Sequence, residues 1–174
     1  MRGQAINIAA LANMMLAGII DHYAAAGDST LPARRLVVPG ESRTVAWDCE
    51  QLTVSLVGVG WGQALDMSSP SASAGPHTGV TALRHAVLAA TLVRCTPVPA
   101  GNKAPTVAAL QAAGDQYMRD AGLLSQALVE LCSRIRQGLP SEAKVQPGAV
   151  EPIGPSGMFH ALETTLAVTA SRLE

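Results

Sequence analysis

The residues that could do chemistry are few and scattered. Ser156, His85 and Asp48 supply the types of a nucleophile, base and acid set, but Ser156 stands in Gly154-Pro155-Ser156-Gly157, which lacks the glycine spacing of a nucleophile elbow. Cys49 lies between Asp48 and Glu50, and two carboxylates oppose the thiolate that a nucleophilic cysteine needs. The histidines His22, His77, His85 and His160 occur singly, without His or Cys three or four residues on, so no helix face presents a pair of metal ligands. Gly58-Val59-Gly60-Trp61-Gly62 imitates a nucleotide loop, yet a Ser/Pro-rich segment follows it where a helix start is required. Cys49, Cys95 and Cys132 are widely spaced with no C-x-x-C, which predicts reduced, packed thiols. The expectation is a chain with no catalytic residue, no cofactor site and no metal site.

The elements around these groups are easier to read. After Trp47-Asp48-Cys49, Leu52, Val54 and Leu56 alternate with Gln51, Thr53 and Ser55, the pattern of a half-buried strand. There Trp47 anchors the strand end, Cys49 packs as a small apolar residue, and Asp48 makes a local hydrogen bond or meets an arginine such as Arg94. Gly58, Gly60 and Gly62 mark a bulge or bend. Arg34–Val38, bracketed by Pro32 and Pro39, predicts a short strand near a sheet edge. Arg84–Pro97, carrying Arg94 and Cys95, is apolar on both faces like a central strand. Gln4–Ala26 predicts a first helix stopped by Gly27, with apolar positions that wrap most of its circumference and call for cover on more than one side. Thr106–Gln137 predicts a long helix with a core stripe through Leu110, Gly114, Tyr117, Ala121, Leu124, Leu128, Leu131 and Ile135, open to a break at Gly122. Gly154–Gly157 reads as a turn before a last strand whose Leu162, Leu166, Val168 and Ala170 share a face. This order predicts an α+β fold in one domain, residues 1–174, with a mostly antiparallel sheet of about four to five strands and both helices packed on it.

Composition points to company. The chain is 48% hydrophobic but 3% aromatic, and its 14% charged residues fall well below the roughly 25% of an average soluble domain, which predicts surface hidden against other chains. Net charge is −1 and no basic run exceeds Arg34-Arg35, so no nucleic-acid patch is visible. Asn7, Asn13, Asp21 and His22 interrupt the first apolar stretch, which therefore reads as a buried or interface helix rather than a leader or a membrane span. Gln63–Thr81 is a long loop whose one charged residue is Asp66, and loops of that length are usually functional or disordered. It is expected to contact a neighbouring chain through Leu65 and Met67, two apolar anchors, together with Pro70 and the turn formers Gly75 and Pro76.

Four stretches, "AWDCEQLTVSL", "ATLVRCTPVP", "QAAGDQYMRDAGLLSQALVEL" and "VEPIGPSGMFHALETTLAVTA", resemble in this order the tail terminator family of long-tailed actinobacterial phages. The resemblance covers most of the chain. Its most specific pieces are Trp47–Leu52 and Leu92–Pro97. It implies a small structural subunit that forms a ring, usually a homo-hexamer, at the head-proximal end of the tail tube, where it ends polymerisation and joins the tube to the head connector. The implied partners are further copies of the chain, the tail tube protein and the head connector or stopper protein, with no membrane and no nucleic-acid recognition beyond a possible lumen. The implied place is the virion neck, after assembly in the host cytoplasm. Members often carry a further cysteine and a Pro-Arg pair where this chain reads "GPHTGVTALRH". Two alternatives stand beside this reading: a head-completion (stopper) or tail-tube subunit of the same neck, and a small ligand-binding or enzymatic domain using Cys49, His85 or Ser156.

Overall fold

Asn7 starts the first helix. Its Oδ1 accepts the Ala10 N–H at 2.8 Å, satisfying one of the orphan donors of a helix N-terminus, so α1 spans Ile8–Ala25 and begins later than Gln4. The helix stops where Gly27 turns left-handed at φ 69° and the Asp28 N–H closes back on the Tyr23 carbonyl at 3.0 Å. The structure, a computed structural model, describes residues 6–38, 50–61, 84–99, 103–138, 143–156, 158–171 and 173. Only one stripe of α1 is buried: Leu11, Ala12, Met15, Gly18, Ile19 and Tyr23. The face turned away from the core is largely alanine, a good helix former that exposes little apolar area. By length and hydropathy α1 would pass for a membrane span, but its stripe is seated in the core.

Five strands form one sheet: β1 (Arg34–Val38), β2 (Gln51–Trp61), β3 (Arg84–Cys95), β4 (Lys144–Ser156) and β5 (Phe159–Ala170), in the order β1-β2-β3-β5-β4. β1 runs parallel to β2, and all other neighbours are antiparallel. The long helix α2 (Val107–Gly138) lies with α1 on one face of this sheet, giving the expected α+β architecture. Register puts Leu52, Leu92 and Leu162 in one row and Leu56, Leu88 and Leu166 in another, and both helices bury their stripes on those rows. β3 is the middle strand and β1 an edge, as expected. The pairing of β2 with β3 slips between Leu56 and Gly58, a bulge where the glycines begin.

Several expectations need correction. Lys144–Ser156, for which the sequence reading has no strand, forms one despite Pro147, Pro152 and Pro155. As the outer strand it pairs, among the described residues, with β5 alone, so the missing N–H groups disturb one ladder, and the register slips twice, at Pro147/Val150 and Ile153/Ser156. The chain therefore reverses between Ser156 and Phe159, later than the expected Gly154 turn. Gln51, Thr53 and Ser55 are buried rather than solvated, as are Ala89, Thr91 and Val93 beside them, so the face away from the helices is closed there too. α2 runs unbroken through Gly122. Its stripe is a core face only from Asp120 onward, and Leu110 is half exposed.

Candidate functional site, a buried arginine–carboxylate clamp

At the end of β3 the sequence puts a charge into an apolar strand. Arg94 points to the helix face and is only 6% exposed, and Asp120 comes down on it from α2 at 0%. The pair is bidentate: Arg94 Nε donates to Asp120 Oδ2 at 2.9 Å and Nη2 to Oδ1 at 3.0 Å. Asp120 Oδ1 also accepts from Tyr23 Oη of α1 at 3.0 Å and from Gln116 Nε2 at 3.1 Å. Arg94 Nη1 donates to the Thr30 carbonyl at 2.6 Å and to Glu50 Oε2 at 2.8 Å. The other Glu50 oxygen accepts the Cys95 N–H at 3.2 Å. Thr30, held by Gln116 Nε2 at 2.9 Å, in turn donates to Asp28.

Glu50 reaches these partners from a left-handed backbone, φ 61°, which costs a non-glycine residue about 1–3 kcal/mol unless its surroundings hold it there. Its two bonds to Arg94 and Cys95 supply that hold. Beside the clamp, His160 pairs in register with Arg94, meets Thr96 Oγ1 through Nδ1 at 3.1 Å, and lies edge-on to Tyr117 with ring centroids 4.9 Å apart. Its Nε2 is buried without a hydrogen-bond partner.

The electrostatics follow from burial. Burial alone would pull the Arg94 pKa down, but the bonds to Asp120 and Glu50 outweigh it and push it up, so the guanidinium stays charged. Burial, then the charge of Asp120 and the bond to it, push the Tyr23 phenol well above its usual range. Burial lowers the His160 pKa; Asp120 opposes that shift, Arg94 adds to it and Glu50 opposes it. Asp28 is held below its usual value, chiefly by the Thr30 hydroxyl.

Three donors converge on Asp120 Oδ1 and one on Oδ2, the residue is fully buried, and the guanidinium is engaged along both of its edges. What the cluster can do is hold. It ties α1, the turn after it, the start of β2, the end of β3 and the middle of α2 to one point.

The residues singled out from sequence fare unevenly. Arg94 is the hub, although its carboxylate partners here are Asp120 and Glu50; the suggested Asp48, with Trp47 and Cys49, lies outside the described residues. Cys95 is exposed and contributes its backbone N–H. The loop candidates Leu65, Met67, Pro70, Gly75 and Pro76 also lie outside the described residues, as does His77. Ser156 and His85 are not brought together: their register partners on β5 are Phe159 and Thr169, about 33 Å apart along a strand. Among the described residues no group of three His, Cys, Asp or Glu side chains is placed to hold a metal ion. Asp120, Glu50, Tyr23, Thr30 and Gln116 were missed. Asp120 had a signal, an acid between Tyr117 and Leu124 on a stripe otherwise apolar, with Arg94 on the helix-facing side of the central strand to answer it. Compared with known proteins, the chain matches no protein-family model and no curated protein.

Proposed function

We propose that this chain is a structural subunit of a long-tailed phage neck, one that forms a ring, hexameric as the resemblance implies, on the head-proximal end of the tail tube. The ring ends tube polymerisation and presents a surface to the head connector. One observation carries this reading. The four stretches that bear the resemblance come from distant parts of the chain, and three send residues to the clamp, Glu50 from the first, Arg94 from the second, Gln116 and Asp120 from the third, while the fourth places His160 beside it. Residues that act together to fix one shape are what a shared fold requires, and their convergence supports the reading. A saturated clamp also suits a part that must keep its outline among neighbours.

The test is removal of the chain from the phage that encodes it. Without a cap, tubes run on, so the expected result is tails longer than wild type and heads that fail to join them. Normal joined particles would overturn the proposal. Full-length tails that merely fail to join would assign the chain to the stopper layer, and particles with no tails to the tube.

A further inference from the structure

One lateral face of α2 has no partner among the described residues. Val107, Gln111, Gly114, Met118, Gly122, Ser125 and Val129 follow at spacings of four and three, which keeps them on one strip, and all seven are exposed. The large members are bare: Val107 is 79%, Met118 71% and Val129 59% exposed. The order of types is also symmetric about Met118. Val107 and Val129 stand eleven residues away on either side, Gln111 and Ser125 seven, Gly114 and Gly122 four. A Cβ built at either glycine would meet nothing within 4 Å, so nothing among the described residues requires glycine at these mid-helix positions. Two backbones approaching closely would.

We infer that a second copy of this chain docks on this strip, with the two α2 helices antiparallel across a two-fold axis at Met118. Val107 of each copy then lies against Val129 of the other, Gly114 against Gly122, and Met118 against itself. Charge fixes the direction. Asp115 and Arg119 share one flank of the strip, and in an antiparallel two-fold pair like flanks face each other. Arg119 of one copy then stands within about 3 Å, along the axis, of Asp115 of the other, and the reciprocal pair forms as well. A parallel pair would set this charged flank against the opposite one, where Leu110 and Ala121 carry no charge. Arg119 is free to turn, being 57% exposed with one distant contact, 3.8 Å to Asp28. The strip is about 33 Å long and one helix wide, which falls short of the roughly 800 Å² per partner of a standard interface, so the pair is weak and reversible. It does not rest on the ring reading, because neighbours in a cyclic ring meet through unlike surfaces.

Sedimentation of the full chain across the micromolar range tests the pair. The wild type is expected to pass from monomer to dimer, and Met118→Asp, an exposed change that sets two carboxylates against each other, to remain monomeric. Arg119→Asp is expected to weaken the dimer and Asp115→Arg/Arg119→Asp to restore it. Under oxidation Met118→Cys should link to itself, Val107→Cys should add nothing beyond the wild-type blank, and Val107→Cys/Val129→Cys should link. A wild type that stays monomeric, a dimer that survives Met118→Asp, or efficient self-linking of Val107→Cys would each overturn the inference. A larger assembly that forms with no Met118-dependent dimer overturns it too and leaves the ring untouched.

Discussion

Arg94 has a carboxylate on each side, and burial decides which one matters. Asp120 is sealed in, so Asp120→Ala leaves the Nε–Nη2 edge of a buried guanidinium unpaired and Tyr23 Oη with only its long 3.4 Å bond to the carbonyl of residue 120, and is expected to lower the unfolding free energy by about 3–5 kcal/mol. Glu50 has a half-exposed side chain, where water screens the charge, so its ion pair contributes about 1 kcal/mol or less. Urea denaturation of Asp120→Ala and Glu50→Gln measures both, and equal losses would contradict this ranking. His160 gives the cluster a pH dependence. Its folded pKa lies below 6.5, so the unfolded chain binds the extra proton first. Stability is therefore whole above pH 6.5 and falls as the pH drops through the folded value, with the Arg94 charge beside the ring. Melting temperatures at pH 7.5 and 5.5 should show this loss in the wild type and less of it in His160→Phe, which keeps a ring against Tyr117. At this scale the sequence was legible where chemistry is local. An acid on the apolar α2 stripe and Arg94 in the apolar half of β3 call for each other, whereas the Glu50 contact depends on a left-handed turn and joins residues 44 apart.

Periodicity marked four of the five strands and both helices; the fifth strand failed for a specific reason. Three prolines in Lys144–Ser156 remove ladder donors, and a reading of the strand in isolation cannot know that it will lie at an edge, where the loss falls on a single neighbour. Gly122 misled in the opposite way. A single glycine weakens a helix without breaking it, and the packed turns from Leu124 to Ile135 carry α2 through. Two kinds of helical glycine then predict opposite outcomes. At Gly18 a Cβ would come within 3.2 Å of Leu131 Cδ1, so Gly18→Val is expected to force α1 off α2 and cost about 1–3 kcal/mol. At Gly114 and Gly122 space is open, and alanine should stabilise the monomer by about 0.5–1 kcal/mol each. Thermal melts of the three variants on the Met118→Asp chain separate these effects from pairing, and a Gly18→Val protein as stable as its parent would contradict the packing of α1 on α2.

On the scale of the whole molecule, composition and surface agree. A chain with 14% charged residues leaves Val107, Met118, Val129 and Met158 more than half exposed, and apolar surface of that kind is expected to find partners. The fold class was legible because element order and hydrophobic period suffice for it. Which surfaces meet a tube or a connector was not, since contacts between chains leave no period in one sequence. The account stands or falls on where the protein sits. Electron microscopy of intact particles, with the chain marked by a bound antibody, is the direct measurement. The prediction is label confined to the junction of head and tail, with a ring density there that averages to several copies of a 17.9 kDa subunit. Label along the length of the tail, or particles that carry none, would contradict it.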